Sequence, residues 1–405
     1  MDEERIGKMK KKLIAMMTCL AMTVSLLAGC GGSGEDSSSA ETTQESSQET
    51  EDSEQEDTDS SSSDTITVTD HADRQVELPA QIDRVVVADI YPMASVLTVF
   101  LGSAEKLVGI DPVCMSAAQS GILGELFPEI LDADTSFMQG GDLNIEALLA
   151  LEPDVVFCSA GNSDMIASLE NAQIPVVGIS PSKWDYDILE TYDQWVDLLS
   201  QMFPENSSKS EKVSAYSKEV YDQVQEVVKD IPQEEKKKVL FLFQYDDQQM
   251  VTSGKHFFGQ FWCDAVGALN AAEEIEVDNS NAVINMEQVY QWNPDIIIIT
   301  NFTPTQPEDL YNNAVGGDDW SSVKAVQDKQ VYKMPLGTYR SYTPSSDTPV
   351  TLLWMAKTVY PDLFPDLDIT QEVKDYYQEM YQVSLTDEQI EQMYNPSSAA
   401  AENFE

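Results

Sequence analysis

Residues 144–156 read NIEALLALEPDVV, and residues 285–297, 141 positions later, read NMEQVYQWNPDII. The Asn, Glu, Pro and Asp coincide in register, and the apolar positions coincide in type. Each copy predicts a helix, a Pro-Asp turn and a buried strand. Two copies of one such unit predict two similar α/β lobes.

Short apolar strands alternate with helices on both sides of each copy. This alternation predicts a parallel sheet covered on both faces by helices. Before the first lobe, residues 65–79 alternate around a polar stretch and predict a β-hairpin, with His71 on its surface. Between the lobes, residues 185–203 and 207–230 form two long helical stretches that interrupt the alternation.

The charge of the chain limits its partners. There are 23 Lys and Arg against 71 Asp and Glu, for a net charge of −48. A protein that binds nucleic acid needs clustered cations, so we expect no nucleic-acid partner. Two His without repeated spacing argue against a bare zinc or manganese site, and we expect neither a bound metal nor a cofactor.

The N-terminal residues predict an export signal and a membrane anchor. Residues 8–12 are basic, residues 13–27 are apolar, and Leu27-Ala28-Gly29 leads into Cys30. This pattern resembles a bacterial lipoprotein signal, which implies a signal peptide over 1–29 and lipidation of Cys30. Translation could start at Met1 or Met9. Residues 30–64 are Ser-rich and acidic and lack large apolar residues, so we expect a disordered tether.

Three cysteines remain in the folded part, at positions 114, 158 and 263. Cys158 lies in an apolar run and is expected to be a buried small hydrophobe. The sequence also allows a disulfide bond between Cys114 and Cys158. The chain has no Gly-x-Ser-x-Gly elbow, and Ser253-Gly254-Lys255 lacks the remainder of a phosphate-binding loop. We therefore expect no enzyme activity.

Several motifs, in order and spacing, resemble one family. In the first half they are Arg84–Val87, Leu101-Gly102, Val108-Gly109, Gly141 and Leu143–Glu146 with Pro153-Asp154. In the second half they are Val239–Phe243, Thr252–Gly254 with Phe257-Phe258, Ala265–Asn270, Glu287 with Pro294-Asp295, and Leu353–Lys357 with Tyr360–Asp362. The chain resembles the substrate-binding lipoproteins of ABC importers for ferric siderophores, cobalamin and haem, the class III periplasmic binding proteins.

The resemblance implies an α/β fold of two Rossmann-like lobes bridged by a long α-helix, with the ligand cleft between them. We assign the lobes to residues 65–183 and 237–368. The helical connector is 184–236, with 207–230 as the bridge, and the closing helices and tail are 369–405. Such a bridge permits only a small hinge motion.

Candidate ligand contacts lie where strands end, because ligands meet parallel sheets at their carboxyl ends. These positions include the loops 112–115 and 159–162. The candidates are Tyr91, Gly141, Asn162, Trp184, Tyr245, His256, Asn301, Phe302, Tyr339, Arg340 and Tyr342.

Arg340 stands out because it is the one Arg after position 84, and it lies between two Tyr. A guanidinium there suits an anionic, planar or aromatic ligand, although a surface salt bridge would also explain it. His256 could be an axial ligand of haem or a rim residue. Trp184, Tyr91, Tyr245 and Phe302 could form an aromatic wall or belong to the core.

Glu146 and Glu287 occupy matching positions in the two copies of the repeat. In the family that the chain resembles, glutamates at these positions dock the permease, which is a homodimer or pseudo-dimer with its own ATPase. Each carboxylate would also be favoured at a helix N-terminus without any docking role.

The function we expect is a lipid-anchored binding protein at the extracytoplasmic face of the cell membrane. Its ligand would be a metal chelate, with a ferric siderophore first and haem, cobalamin or an oxyanion as alternatives. Two alternatives from other functional classes remain. One is a lipid-tethered hydrolase, and the other is a ligand sensor or adhesin module.

Overall fold

The structure is a computed structural model that describes residues 65–404. The predicted signal peptide, Cys30 and the tether lie outside these residues. Among the helices of the described part, none is long and apolar enough to cross a membrane.

The first lobe contains the predicted hairpin and a parallel sheet. Its strands are β1 (Thr65–Thr69), β2 (Gln75–Pro79), β3 (Val85–Val87), β4 (Leu107–Ile110), β5 (Met138–Gln139), β6 (Asp142–Leu143), β7 (Val155–Ser159) and β8 (Val176–Ile179). β1 pairs antiparallel with β2, and the parallel sheet has the order β4-β3-β7-β8. Val85 and Val87 pack in one core while Val86 and Val156 pack in another, so both faces of the sheet are covered.

Five helices complete this lobe, namely α1 (Met93–Leu101), α2 (Pro112–Ser120), α3 (Leu123–Leu126), α4 (Ile145–Ala150) and α5 (Ser163–Asn171). The expectation of a loop at residues 112–115 is wrong, because these residues form the first turn of α2. Asp111 caps this helix by accepting from the Val113 N–H at 2.7 Å, and Pro112 is its first residue.

The connector consists of α6 (Ile188–Met202) and α7 (Ser208–Val228). α7 has 21 residues, and its buried face belongs to two cores. Val213 packs in a core of the first lobe, whereas Val220, Val224 and Val228 pack in a core of the second. These positions lie on one side of a helix, so a single stiff element contacts both lobes.

The second lobe contains a mixed sheet. Its strands are β9 (Lys238–Tyr245), β10 (Met250–Thr252), β11 (Leu269–Asn270), β12 (Ala282–Ile284), β13 (Ile296–Ile299) and β14 (Val331–Lys333). The order is β12-β10-β9-β13-β14, with β11 beside β9. β10 and β12 run antiparallel to their neighbours, unlike the all-parallel sheet expected. The connection from β9 to β10 is a short turn, which can join only antiparallel strands.

The helices of the second lobe are α8 (Phe258–Ala265), α9 (Met286–Trp292), α10 (Pro307–Tyr311), α11 (Lys324–Gln327) and α12 (Thr348–Val359). After them come α13 (Ile369–Tyr381), α14 (Asp387–Tyr394) and a 3₁₀ turn at Ser398–Ala401. α13 and α14 pack on the first lobe through Val373 and Ile390.

The sequence repeat forms the same local structure twice. Asn144 caps α4 by accepting from the Ala147 N–H at 3.1 Å, and Asn285 caps α9 by accepting from the Gln288 N–H at 3.2 Å. The matching Asn residues are therefore helix caps that fix where each repeat unit begins.

The matching Asp residues attach each unit to the first strand of its sheet. Asp154 accepts from the backbone N–H of Arg84 at 2.8 Å, and Asp295 accepts from that of Lys238 at 2.9 Å. The side chains of Arg84 and Lys238 then donate to carbonyl groups where α4 and α9 end. Cations are favoured at the C-terminal end of a helix, so the same type of interaction stabilises the helix end in both units.

The three cysteines of the described part are free thiols, and all are buried. Cys158 lies in the core of the first lobe, as expected. The Cys114 thiol donates to the backbone carbonyl of Tyr91 at 3.1 Å, so the structure forms no Cys114–Cys158 bridge.

Candidate functional site

The candidate site lies where the two lobes face each other at the carboxyl ends of their strands. Arg340, in the loop after β14, reaches across to α2 of the first lobe. Its guanidinium donates to the Val113 carbonyl at 3.3 Å and to the Ser116 hydroxyl at 3.4 Å. One side chain thus connects the two walls of the cleft.

Arg340 is fully buried, with 0% of its surface exposed. Every acceptor it contacts in the described part of the chain is a neutral oxygen. They are the Asn301 carbonyl at 3.2 Å, the Ala400 carbonyl at 2.9 and 2.6 Å, the Tyr339 hydroxyl at 2.8 Å, and the Val113 and Ser116 oxygens. A buried cation with neutral acceptors is costly, and a surface salt bridge is not its role in this structure.

Aromatic rings surround the guanidinium. Its central carbon lies 5.1 Å from the ring centre of Phe302 and 5.2 Å from that of Tyr339. The ring of Phe404 is 6.0 Å away and also contacts the ring of Tyr91. Ring faces attract a cation, so these contacts offset part of the cost of burying it.

The segment 398–404 fills this part of the cleft, a feature that the sequence did not predict. Ala400 and Ala401 are buried, and the Glu402 carbonyl accepts from the Ser116 hydroxyl at 2.6 Å. The ring of Phe404 lies 4.7 Å from that of Phe302. Two backbone carbonyls and one ring therefore occupy the donors and the aromatic surface of the site.

Two carboxylates of the first lobe lie near the site. Asp111 is buried, and burial raises its pKa to about 6, with the charge of Asp89 adding to the rise. The Val113 N–H and the charge of Arg340 oppose that rise. Asp89 accepts from the Ser159 N–H and from the Asn162 amide, both at 2.7 Å. Asp111 therefore titrates close to neutral pH beside the Arg340 cation.

Tyr245 does not belong to this site, so the strand-end argument is wrong for it. The pairing of β9 with β10 shifts register, with Val251 opposite Gln244 and Thr252 opposite Leu242. Such a bulge at Phe243 turns the next side chains to the other face. Tyr245 consequently packs in the core of that face.

Its hydroxyl group is fully used there. It donates toward Val315 and Asp318, each at 2.9 Å, and accepts from the Trp320 indole at 3.0 Å.

Tyr342 and Asn301 are structural in this state rather than free for a ligand. Tyr342 is fully buried, and its hydroxyl accepts from the Gly259 N–H at 3.0 Å. The Asn301 amide donates to the carbonyls of Met334 and Pro335, at 2.8 and 3.0 Å. These bonds hold the loop that carries Arg340.

Asn162 lies at the other end of the cleft, in a polar crevice of about 680 Å³ that also contains Ser159, Lys183 and Asn279. Its side-chain oxygen caps α5 by accepting from the Met165 N–H at 3.0 Å.

His71 also lines the crevice, and its expected surface position is wrong. It is partly buried, with its ring 5.0 Å from that of Trp184. Burial, together with the charge of Lys183, lowers the pKa of His71 to about 4, so it is neutral at pH 7. Trp184 thus packs beside the hairpin rather than around Arg340.

Gly141 and His256 lie on exposed turns. Gly141 follows Gly140 in the turn between β5 and β6, both with positive φ, and a Cβ atom at Gly141 would contact nothing within 4 Å. His256 is exposed ahead of α8, and its backbone carbonyl accepts from the Asn279 N–H. Neither residue touches the Arg340 group.

Glu146 and Glu287 are exposed in the first turns of α4 and α9. Because the capping asparagines and anchoring aspartates of the two units match, the two carboxylates have equivalent local settings, one in each lobe.

The chain is similar to known binding proteins over most of its length. The family model described as periplasmic binding protein matches residues 90–336. The molybdate-binding protein MolA of Haemophilus influenzae is 28% identical over 358 residues, which cover 82% of this chain and 93% of that protein.

Two solved structures agree with this. The periplasmic solute binding protein of Veillonella parvula has a TM-score of 0.71 and 28% identity, over 82% of this chain and 97% of that one. MolA bound to molybdate has a TM-score of 0.66 and 25% identity, over 79% of this chain and 99% of that one. The chain therefore belongs to the periplasmic binding protein family, as a substrate-binding protein of an ABC importer.

Proposed function

We propose that this protein captures a small oxyanion of the molybdate type in the cleft around Arg340 and delivers it to its importer. The observation that carries the proposal is the fully buried guanidinium, whose acceptors in the described chain are all neutral. An anion at this position would supply the missing charge, and hydrogen bonds between ions are the strong ones.

The other donors of the site fit the same ligand class. The hydroxyls of Ser116 and Tyr339 converge on the guanidinium, so a tetrahedral anion would meet neutral donors beside the cation. The similarity to a molybdate-binding protein over 93% of its length supports this chemistry. For these reasons we place an oxyanion ahead of the ferric siderophore that the sequence favoured.

A ferric siderophore is the second candidate because of the aromatic rings. Phe302 and Tyr339 lie around the cation, and Tyr91 adjoins them through the ring of Phe404. Ring faces suit the aromatic groups of a catecholate chelate. Haem would need an axial ligand, and the exposed His256 lies apart from this group. Cobalamin has no particular feature in its favour.

The test is a thermal-shift screen followed by calorimetry. We expect molybdate to raise the unfolding midpoint of the purified protein, because a ligand of the folded state stabilises it by RT ln(1 + [L]/Kd). The screen includes tungstate, sulfate, phosphate, ferric siderophores, haem and cobalamin. A shift with a ferric siderophore and none with any oxyanion would reverse our order of candidates.

We also propose how the protein is held and how it docks. Cys30 would carry a lipid anchor, residues 30–64 would form the tether, and the body would work at the extracytoplasmic face. Glu146 and Glu287 would each meet one subunit of a twofold permease, since they have equivalent settings in the two lobes. We expect no catalysis, and the relatives described above are binding proteins.

A further inference from the structure

We infer that the segment 398–404 competes with the ligand: it occupies the ligand donors in the free protein and leaves when the anion binds. The inference rests on the proposed function for the identity of the competing ligand. The occupation itself rests on contacts within this chain.

The segment takes the ligand donors through backbone oxygens. The Ala400 carbonyl accepts two bonds from Arg340, at 2.9 and 2.6 Å, and the Glu402 carbonyl accepts one from Ser116, at 2.6 Å. An oxyanion would offer the same type of acceptor atom with a full negative charge. An anionic acceptor adds Coulomb attraction to the guanidinium and can accept two parallel N–H bonds from it, so an anion is suited to displace these carbonyls.

The segment also covers the apolar surface of the cleft. The ring of Phe404 lies 4.7 Å from that of Phe302, 5.9 Å from that of Phe243 and 6.3 Å from that of Tyr91. One phenyl ring thus contacts aromatic residues of both lobes. Without it these rings would face an open cleft, where exposed apolar surface is unfavourable.

Among the described residues, the segment has few other polar contacts that would hold it in place. Its regular structure is one 3₁₀ turn of four residues, in which Ala399–Ala401 bear only methyl groups. Ser398, Glu402 and Asn403 are exposed. The buried surface of the segment comes from Ala400, Ala401 and the ring of Phe404, so it can open as a local unit without unfolding the lobes.

The opposite role, in which the segment forms a wall of the ligand site, predicts the opposite effect of its removal. We would compare the full chain with a variant that ends at Pro396, using molybdate as the probe in calorimetry. If the cleft is open in only a minor fraction of molecules, the apparent affinity for molybdate is reduced by that fraction. Removing the segment should then tighten molybdate binding by about tenfold or more. The control is Ser397→Ala, which changes an exposed residue just outside the segment and should leave Kd unchanged.

Hydrogen exchange of the full chain supplies a second readout. Amides of 398–404 should exchange faster when molybdate is added, whereas cleft residues of the lobes should exchange more slowly. Equal Kd values for both chains, weaker binding by the shortened chain, or slower exchange of the segment with molybdate would each overturn the inference while leaving oxyanion binding intact.

The experiment also distinguishes failure of the proposed function. If molybdate binds neither chain, the oxyanion proposal fails. The position of the segment can then be tested without ligand by comparing hydrogen exchange of the full chain with that of Arg340→Gln. This variant removes the donors to the Ala400 carbonyl. Faster exchange of 398–404 in that variant supports occupation of the cleft by the segment, and unchanged exchange refutes it.

Discussion

Replacing Arg340 with Gln should separate ligand binding from folding. The guanidinium is fully buried and connects the loop after β14, helix α2 and the segment 398–404. Gln keeps much of the volume and some hydrogen-bonding capacity, so the change removes mainly the charge. We expect anion affinity to fall steeply while the ligand-free protein still folds.

Two opposing effects set the magnitude in the free protein. Each lost hydrogen bond from a charged donor costs about 1.5–3 kcal/mol. Removing a buried charge without an ionic partner recovers a desolvation penalty of several kcal/mol. Gln can remake only some of the six bonds that Arg340 donates, so the lost bonds outweigh the recovered penalty and we expect the free energy of unfolding to fall by a few kcal/mol while the protein still folds.

For the affinity of the variant for the anion, no such compensating effect exists. Truncating one partner of a buried charge pair costs about 2–5 kcal/mol, which corresponds to a loss of more than about tenfold in affinity. The assay is calorimetric titration with molybdate together with thermal unfolding of the same samples.

Arg84→Gln is the matched control for this assay. Arg84 also donates to backbone carbonyls, those of Leu151 at 2.9 Å and Glu152 at 3.1 Å, but at the end of α4 and away from the cleft. It should lose stability and keep its affinity. If Arg340→Gln instead keeps its affinity and loses stability as Arg84→Gln does, Arg340 is a structural residue and the reasoning fails.

Three further predictions concern the anchor, the docking surface and pH. Cys30→Ser should release the protein from the membrane fraction and abolish labelling by a lipid precursor; retained labelling would exclude this anchor. Glu146→Lys combined with Glu287→Lys should leave molybdate affinity unchanged and abolish uptake, while Glu308→Lys, an exposed first-turn control, should not; normal uptake by the double variant contradicts docking. Lowering the pH from 7.5 to 5.5 should tighten molybdate binding, because the carboxyl of Asp111, with its pKa near 6, then loses its charge beside Arg340. That pKa lies above its unfolded value, so protonation of Asp111 also favours the folded state as pH falls from about 6 to 4. Asp111→Asn should remove both effects, and an unchanged pH dependence in that variant would refute the assignment.

The repeat shows what the sequence predicts well. Asn144 and Asn285 cap helices, and Asp154 and Asp295 anchor them to the first strand of each sheet. The residue types that make these interactions also mark the element boundaries in the sequence. A short polar side chain marks a helix start, and Pro-Asp before an apolar run marks the start of a strand. Local structure and the two-lobed fold therefore follow from the pattern.

Tyr245 shows where the pattern fails. Counting along β9 places it on the face of Phe243, but the shifted pairing with β10 reverses the face. A bulge is a property of the partner strand as much as of the strand itself, so periodicity in one segment cannot reveal it. The role of Arg340 as a ligand contact stays a prediction, and the sequence did not indicate its contact with Ser116, which lies in a helix that the pattern missed.

The segment 398–404 explains how an acidic chain can keep a buried cation available. With 71 Asp and Glu in the sequence, a carboxylate would be the readiest partner for Arg340, and a buried ion pair of that kind would be hard for a solute anion to replace. Within the described chain the guanidinium instead meets carbonyl and hydroxyl oxygens, and one of them, the Ala400 carbonyl in a run of alanines, accepts two of its bonds. Neutral acceptors satisfy its hydrogen bonds without neutralising its charge, so part of its attraction for an anion is retained. In the cycle we propose, the alanines are useful because they bring no charge of their own.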